Sequence, residues 1–184
     1  MYGEMKRHTL SVLVENAAGV LSQVSRLFSR KGYNIESLAV GTTDDPEVSR
    51  ITIEVRGDDL QIQQIISQLQ KQFPVYSVRL LDPDNSIRRE LVMIKVRAED
   101  RSIRGEIIQT ANIFRAAVLD VSPSSLTIAV IGEESKTSAL EKLLEEFGIL
   151  ELARTGMVAL ERGQFTISDA RKETTEFNLG KHAL

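Results

Sequence analysis

An α+β fold is what this sequence predicts, with two tandem βαββαβ units whose antiparallel sheets carry their helices on one face. Three observations predict it. Short apolar runs alternate as strands do, then give way to apolar residues every three or four positions, as in helices. The order strand–helix–strand–strand–helix–strand is complete by residue 82 and starts again after "DPDNS". Glycine, asparagine, aspartate or proline stands at most of the handovers, where turns and caps need them.

Residues 8–15, "HTLSVLVE", alternate around Leu10, Val12 and Val14 and form the first strand. From Gly19 the spacing of Val20, Leu21, Val24, Leu27 and Phe28 is helical, with one apolar face. Lys31-Gly32 ends that helix with a cation and a C-cap glycine. "NIESLAVGTT" is a second strand, "TDDPEVS" a hairpin loop, and "RITIEVR" a third strand with Ile51, Ile53 and Val55 on one side. Asp58 or Asp59 caps a helix carrying Ile62, Ile65, Ile66, Leu69 and Phe73, and "VYSVRLLD" closes the unit.

"DPDNS" has the composition of a linker. Beyond it "ELVMIKVRA" is a strand, and Ile103, Ile107, Ile108 and Ala111 mark a helix. "AAVLDVS" and "SLTIAVIG" are strands joined across Pro123-Ser124. Leu140, Leu143, Leu144 and Phe147 mark the last helix, and "ILELARTGMVALE" one long final strand. Both units have the ferredoxin-like split βαβ order. The expected division is residues 1–82, 83–163, and a polar tail or short added helix over 164–184. A domain of this size is marginal alone, and one sheet face or edge needs cover, so a homodimer is expected.

Composition removes several functions. Net charge is −3 among 184 residues, which offers no footprint for nucleic acid or an anionic membrane. Cysteine is absent, and the two histidines, His8 and His182, lie at opposite ends, so thiolate or histidine metal sites and a Ser-His-Asp arrangement are not expected. "MYGEMKRH" lacks a signal-peptide core and no apolar run approaches membrane-spanning length, so a cytoplasmic protein is expected. With aromatics at 5% and none in "RITIEVR" or "VMIKVRA", base stacking is disfavoured. The acidic pairs Asp44-Asp45, Asp58-Asp59, Glu133-Glu134 and Glu145-Glu146 are explained by turns, capping and solvation, and no catalytic centre is evident.

One stretch invites a binding function. "ENAAGVL" matches neither a phosphate loop nor a dinucleotide fingerprint, since no lysine follows the glycine and GxGxxG is absent. The unpaired amides of the first helical turn still attract an anion, and glycine permits its approach. Asn16 can cap the helix and also offers donors and an acceptor. Capping by itself is the simpler account of Asn-x-x-Gly; a small zwitterion bound there is the sharper one. Asn34 serves the turn after Gly32-Tyr33 or, as the start of the strand beside the first, faces a partner's Asn16 across a dimer seam.

The string "SVLVENAAGVLSQVSRLFSRKGYNIESLAVGTTDDPEVSRITIEV" closely resembles the N-terminal ACT domain of acetohydroxyacid (acetolactate) synthase regulatory small subunits. The likeness continues through "RRELVMIKV", "IFRAAVLDVSPSSLTI" and "LARTGMVALERG", covering residues 7–163. Gln23 departs from the arginine frequent after "GVLS" in that family, and residues 164–184 pass the usual end. The resemblance implies a non-catalytic chain without cofactor. Thiamine diphosphate, magnesium and FAD belong to the large catalytic subunit, its expected partner. It implies activation of that subunit and feedback inhibition by valine or a related branched-chain amino acid at a seam between two ACT domains. The implied effector positions are Asn16, Gly19, Val20, Leu21, Asn34 and Ile35. The alternative is a stand-alone amino-acid sensor acting on another partner.

Overall fold

The structure, a computed structural model, describes residues 5–168. The elements are β1 (Lys6–Glu15), α1 (Val20–Lys31), β2 (Ile35–Thr42), β3 (Val48–Gly57), α2 (Asp59–Gln70) and β4 (Val75–Leu81). They are followed by β5 (Ser86–Arg97), α3 (Arg101–Ile113), β6 (Ala117–Val121), β7 (Ser125–Gly132), α4 (Glu134–Glu145), β8 (Ile149–Arg154) and β9 (Val158–Glu161). The two sheets run β2-β3-β1-β4 and β6-β7-β5-β8, with β9 paired to β5. Every pairing with a resolved register is antiparallel. This is the βαββαβ order, twice. The chain divides into two units: one runs to Ile87 and resumes at Ala159, and the other is Arg88–Val158.

In the first unit the strand alternation sends Leu10, Val12, Val14, Ile51, Ile53 and Val55 toward the helices. Val20, Val24, Leu27 and Phe28 meet them from α1, and Ile62, Ile65 and Leu69 from α2. The α1 helix ends as its sequence demands. Gly32 takes the left-handed conformation (φ 71°), and the amides of Gly32 and Tyr33 close onto the carbonyls of Ser29 and Phe28. At α2, Asp58 accepts from the Gln61 amide (2.8 Å) while Gln61 reaches back to the Asp58 amide (3.1 Å), a capping box that stabilises by about 1 kcal/mol.

The other face of this sheet is polar and yet buried, with Thr9, Ser11, Thr52 and Glu54 all out of solvent. Part of its cover comes from residues 160–167. Ser77 donates to the Ile167 carbonyl (3.1 Å), Arg79 pairs with Glu161 and bonds the Thr166 carbonyl (3.0 Å), and the Ile167 side chain is buried.

The second unit repeats the packing with Val92, Ile94, Val96, Leu126, Ile128 and Val130 against Ile107, Ala111, Leu140 and Leu144. Here a buried carboxylate is compensated: Glu90 accepts from Thr137 Oγ1 and from Arg154 (3.1 Å), and Arg154 also pairs with Glu141. Glu90→Ala takes the carboxylate from Thr137 and Arg154, leaving the buried hydroxyl only the Glu134 carbonyl (3.1 Å). It is expected to cost about 1–3 kcal/mol, read as a lowered urea midpoint; an unchanged midpoint contradicts the role of this cluster.

Several expectations are corrected. Phe73 is not on the second helix: α2 stops at Gln70 and Phe73 is 94% exposed, because the proline that follows disfavours helical backbone at Phe73. The stretch 82–86 is a tight turn rather than a loose linker. Asp82 accepts from the amides of Asp84 and Asn85, and Ser86 already lies in β5. The long final strand breaks at Gly156 (φ 79°) into β8 and β9. Residues 164–168 join the first unit instead of trailing as a tail, while 169–184 lie outside the described residues. The strand begun by Asn34 is also misplaced, since β3 stands between β2 and β1.

Candidate functional site

The site is built where β1 hands over to α1. Gly19 is the N-cap residue, left-handed at φ 88°, and no side chain caps the helix. The helical ladder opens with the Gln23 amide on the Gly19 carbonyl (2.9 Å), so the amides of Leu21 and Ser22 lie ahead of it. Val20 makes only a long turn contact to Ala17 (3.4 Å). No acidic residue occupies the first turn, so the positive end of the helix is not neutralised from within. A Cβ built on Gly19 would meet nothing within 4 Å. Glycine is therefore favoured there by its positive φ, and the space above the amides is open.

That space is a cleft of about 630 Å³ bordered by Gly19, Val20, Gln23, Arg26, Arg30 and Phe73. Among the described residues, Glu15 is the only acidic one on it, against two arginines. Such a surface suits an anionic group at the amides and an apolar or cationic remainder elsewhere. Val20 borders the cleft through a residue whose side chain packs into the core, 7% exposed, whereas Leu21 is 41% exposed.

Asn16 does not cap α1. Its Nδ2 donates to the Pro46 carbonyl (2.8 Å) and its Oδ1 accepts from Ser49 (3.1 Å), while its amide bonds Glu47 (2.8 Å). Three residues separate it from the first helical turn, and its side chain clamps the β2–β3 loop instead. One Nδ2 hydrogen and one Oδ1 lone pair stay available. Asn34 is exposed, and Ile35 is half-buried against the first core.

The six positions do not converge within one chain. Ile35 pairs with Val55, whereas Glu15, beside Asn16, pairs with Val48 at the other end of β3. Seven residues of extended strand separate these ends, a distance of about 24 Å. Asn16, Gly19, Val20 and Leu21 thus share one end of the sheet, and Asn34 and Ile35 the other. Among the described residues, β2 is an edge strand.

Sequence reasoning did not single out Arg26, Arg30 and Phe73 for this cleft. The signal for the arginines was present: Gln23, Arg26 and Arg30 are spaced by three and four and so share a helix face.

Fold and site together define a tandem ferredoxin-like chain whose first unit has an open helix N-terminus of the ACT type. A family model described as "AHAS small subunit-like ACT domain" matches residues 10–77, and one described as "Small subunit of acetolactate synthase" matches residues 89–163. The chain is 49% identical over 166 residues to the acetolactate synthase small subunit of Mycobacterium bovis, covering 90% of this chain and 98% of that one. It is 42% identical over 171 residues to the counterpart from Aquifex aeolicus, covering 93% and 88%. The crystal structure of the Thermotoga maritima small subunit superposes with a TM-score of 0.80 at 41% identity, covering 87% of this chain and 99% of that one. The chain belongs to the family of acetolactate synthase small subunits.

Proposed function

We propose that this chain is the regulatory subunit that activates an acetohydroxyacid synthase catalytic subunit and confers feedback inhibition by a branched-chain amino acid, valine foremost. On this reading it is a cytoplasmic, non-catalytic homodimer without cofactor of its own; thiamine diphosphate, magnesium and FAD reside on the catalytic subunit. One observation carries the site assignment: the uncapped, glycine-opened first turn of α1 faces an open cleft. The effector carboxylate sits on the amides of Val20 and Leu21. Asn16 offers its remaining hydrogen-bonding positions to the polar end.

The separation of Asn34 and Ile35 from Asn16 supports a shared site. A two-fold axis that pairs the β2 edges antiparallel brings the partner's start of β2 to the end of the sheet where Gly19 lies. Asn34 and Ile35 then act in trans, Asn34 as a polar anchor and Ile35 as apolar wall. Two or three charge-assisted hydrogen bonds at about 1.5–3 kcal/mol each, with about 1.5–3 kcal/mol from the buried aliphatic group, give micromolar to millimolar affinity after association costs. Feedback needs a coupling of only about 1–3 kcal/mol between the effector and the state of the catalytic subunit.

The test is reconstitution with the catalytic subunit. Activity is expected to rise on adding this chain and to fall on adding valine. No change in either contradicts the assignment and favours a sensor for another partner. Asn16→Ala is expected to raise the valine concentration for half inhibition about tenfold or more while activation persists. Ser49→Ala, which removes one of the two side-chain bonds that hold Asn16 and leaves the one to Pro46, is expected to keep valine sensitivity. Full sensitivity in Asn16→Ala removes that residue from the site.

A further inference from the structure

We propose that the polar face of the first sheet carries a second ligand site, a cavity under residues 160–167 that takes a short aliphatic carboxylate on Arg50 and Ser11. The strand register places these two residues. Leu13 is opposite Arg50, and Ser11 is opposite both Thr52 and Arg79. Arg50 and Ser11 are therefore diagonal neighbours on one face, with Cβ atoms about 7–8 Å apart or less. Both line a partly enclosed cavity of about 210 Å³, walled by buried Leu81 and Ile167 and by half-exposed Leu160 and Phe165.

Two unmet polar groups point to an occupant. Ser11 is 1% exposed, and its Oγ has no hydrogen-bond partner among the described residues. A buried hydroxyl left unpaired calls for an explanation. Arg50 is half-buried, its side chain makes no hydrogen bond or ion pair among the described residues, and burial lowers its pKa below the ordinary value. The second arginine on the cavity, Arg79, is engaged by Glu161 and by the Thr166 carbonyl, which also neutralises the one carboxylate there. Among the described residues this leaves one guanidinium without a partner on a partly enclosed space.

A guanidinium fork matches a carboxylate with two parallel hydrogen bonds, and the Ser11 hydroxyl supplies a further donor. The four apolar side chains accept a short hydrocarbon, and the other two charged residues on the cavity, Arg79 and Glu161, pair with each other. The volume is about seven times that of one water in the liquid, which suits a branched four-carbon acid. On its other side Arg50 borders a wider groove carrying Asp44 and Asp45, where an anion is disfavoured. This cavity shares no lining residue with the α1 cleft, so the proposal does not rest on the effector reading.

The test is calorimetric titration of the full chain with sodium isobutyrate. Saturable binding at one site per chain is expected. Arg50→Gln is expected to weaken it about tenfold or more, and Ser11→Ala several-fold. Asn16→Ala is expected to leave it unchanged, so failure of this site and failure of the effector site are told apart. Inorganic phosphate is expected to bind more weakly than isobutyrate; equal affinity overturns the aliphatic assignment. Absence of saturation at tens of millimolar, the outcome for a cavity holding only water, overturns the site. Should Arg50→Gln not fold, the Arg50 Nε–H resonance of the wild-type chain decides: it shifts on adding isobutyrate if the proposal holds, and stays still if it does not.

Discussion

Gly19→Asp is expected to abolish valine inhibition while leaving activation of the catalytic subunit within about twofold. The new carboxylate stands at the open end of α1, where the effector carboxylate is proposed to bind. Two like charges about 4 Å apart repel by roughly 4 kcal/mol at an effective dielectric of 20, and the Asp also occupies the positive helix end itself. Affinity is expected to drop about 100- to 1000-fold. Folding survives for two reasons. A Cβ at Gly19 meets nothing within 4 Å, and the strain of an L residue at φ 88°, about 1–2 kcal/mol, is offset by about 1 kcal/mol from an aspartate N-cap. Gly19→Ala separates strain from charge: it carries the strain alone and is expected to lose much less sensitivity. The readout is the valine concentration for half inhibition in the reconstituted enzyme. An unaltered value for Gly19→Asp places the effector carboxylate elsewhere.

Phe28→Ala is expected to produce the largest loss of stability, about 3–5 kcal/mol. Phe28 is 1% exposed and lies where α1 packs on the central strands, and its carbonyl receives the amides of Gly32 and Tyr33 that close the helix. Against a total of about 5–15 kcal/mol for a domain, this is a large fraction. It is expected to move the urea midpoint of the first unit down by about 2 M. Because α1 carries the amides of the site, valine sensitivity is lost wherever the unit unfolds. A midpoint shift below about 0.5 M would mean that α1 is held by something other than its apolar face.

Much of the architecture was legible because burial imposes a period. The spacing of Val20, Val24, Leu27 and Phe28 gave α1, and the alternation in β1 and β3 gave the core faces, with both patterns ending at residues whose backbone chemistry is local, such as Gly32 and Asp58. What periodicity does not encode was missed. Strand order depends on contacts far apart in sequence, so the place of β2 at the edge could not be read from spacing. The break at Gly156 was hidden because alternation continues on both sides of it. Residues 164–168 were taken for tail because they are held by two side chains of β4, Ser77 and Arg79, and not by a pattern of their own. Phe73 was a different error, since Pro74 already argued against helix there.

The candidate site was legible only in part. Gly19 was identified for its backbone, and its φ of 88° shows why. Asn16 was expected to cap α1 and instead bonds Pro46 and Ser49, because Asn-x-x-Gly states a spacing and not a side-chain direction. The wide separation of Asn34 from Asn16 follows from sheet register, which no local motif contains.

The central claim is that the backbone nitrogens opening α1, together with the start of β2 from a second protomer, grip a free branched-chain amino acid. A ¹⁵N-resolved NMR titration of the isolated chain with valine reads both halves at once. Saturable shifts are expected at the amides of Gly19, Val20 and Leu21 and equally at Asn34 and Ile35, with one half of the set unable to respond without the other. Shifts that leave all five amides in place, or valine at millimolar concentration without effect on any resonance, would contradict it.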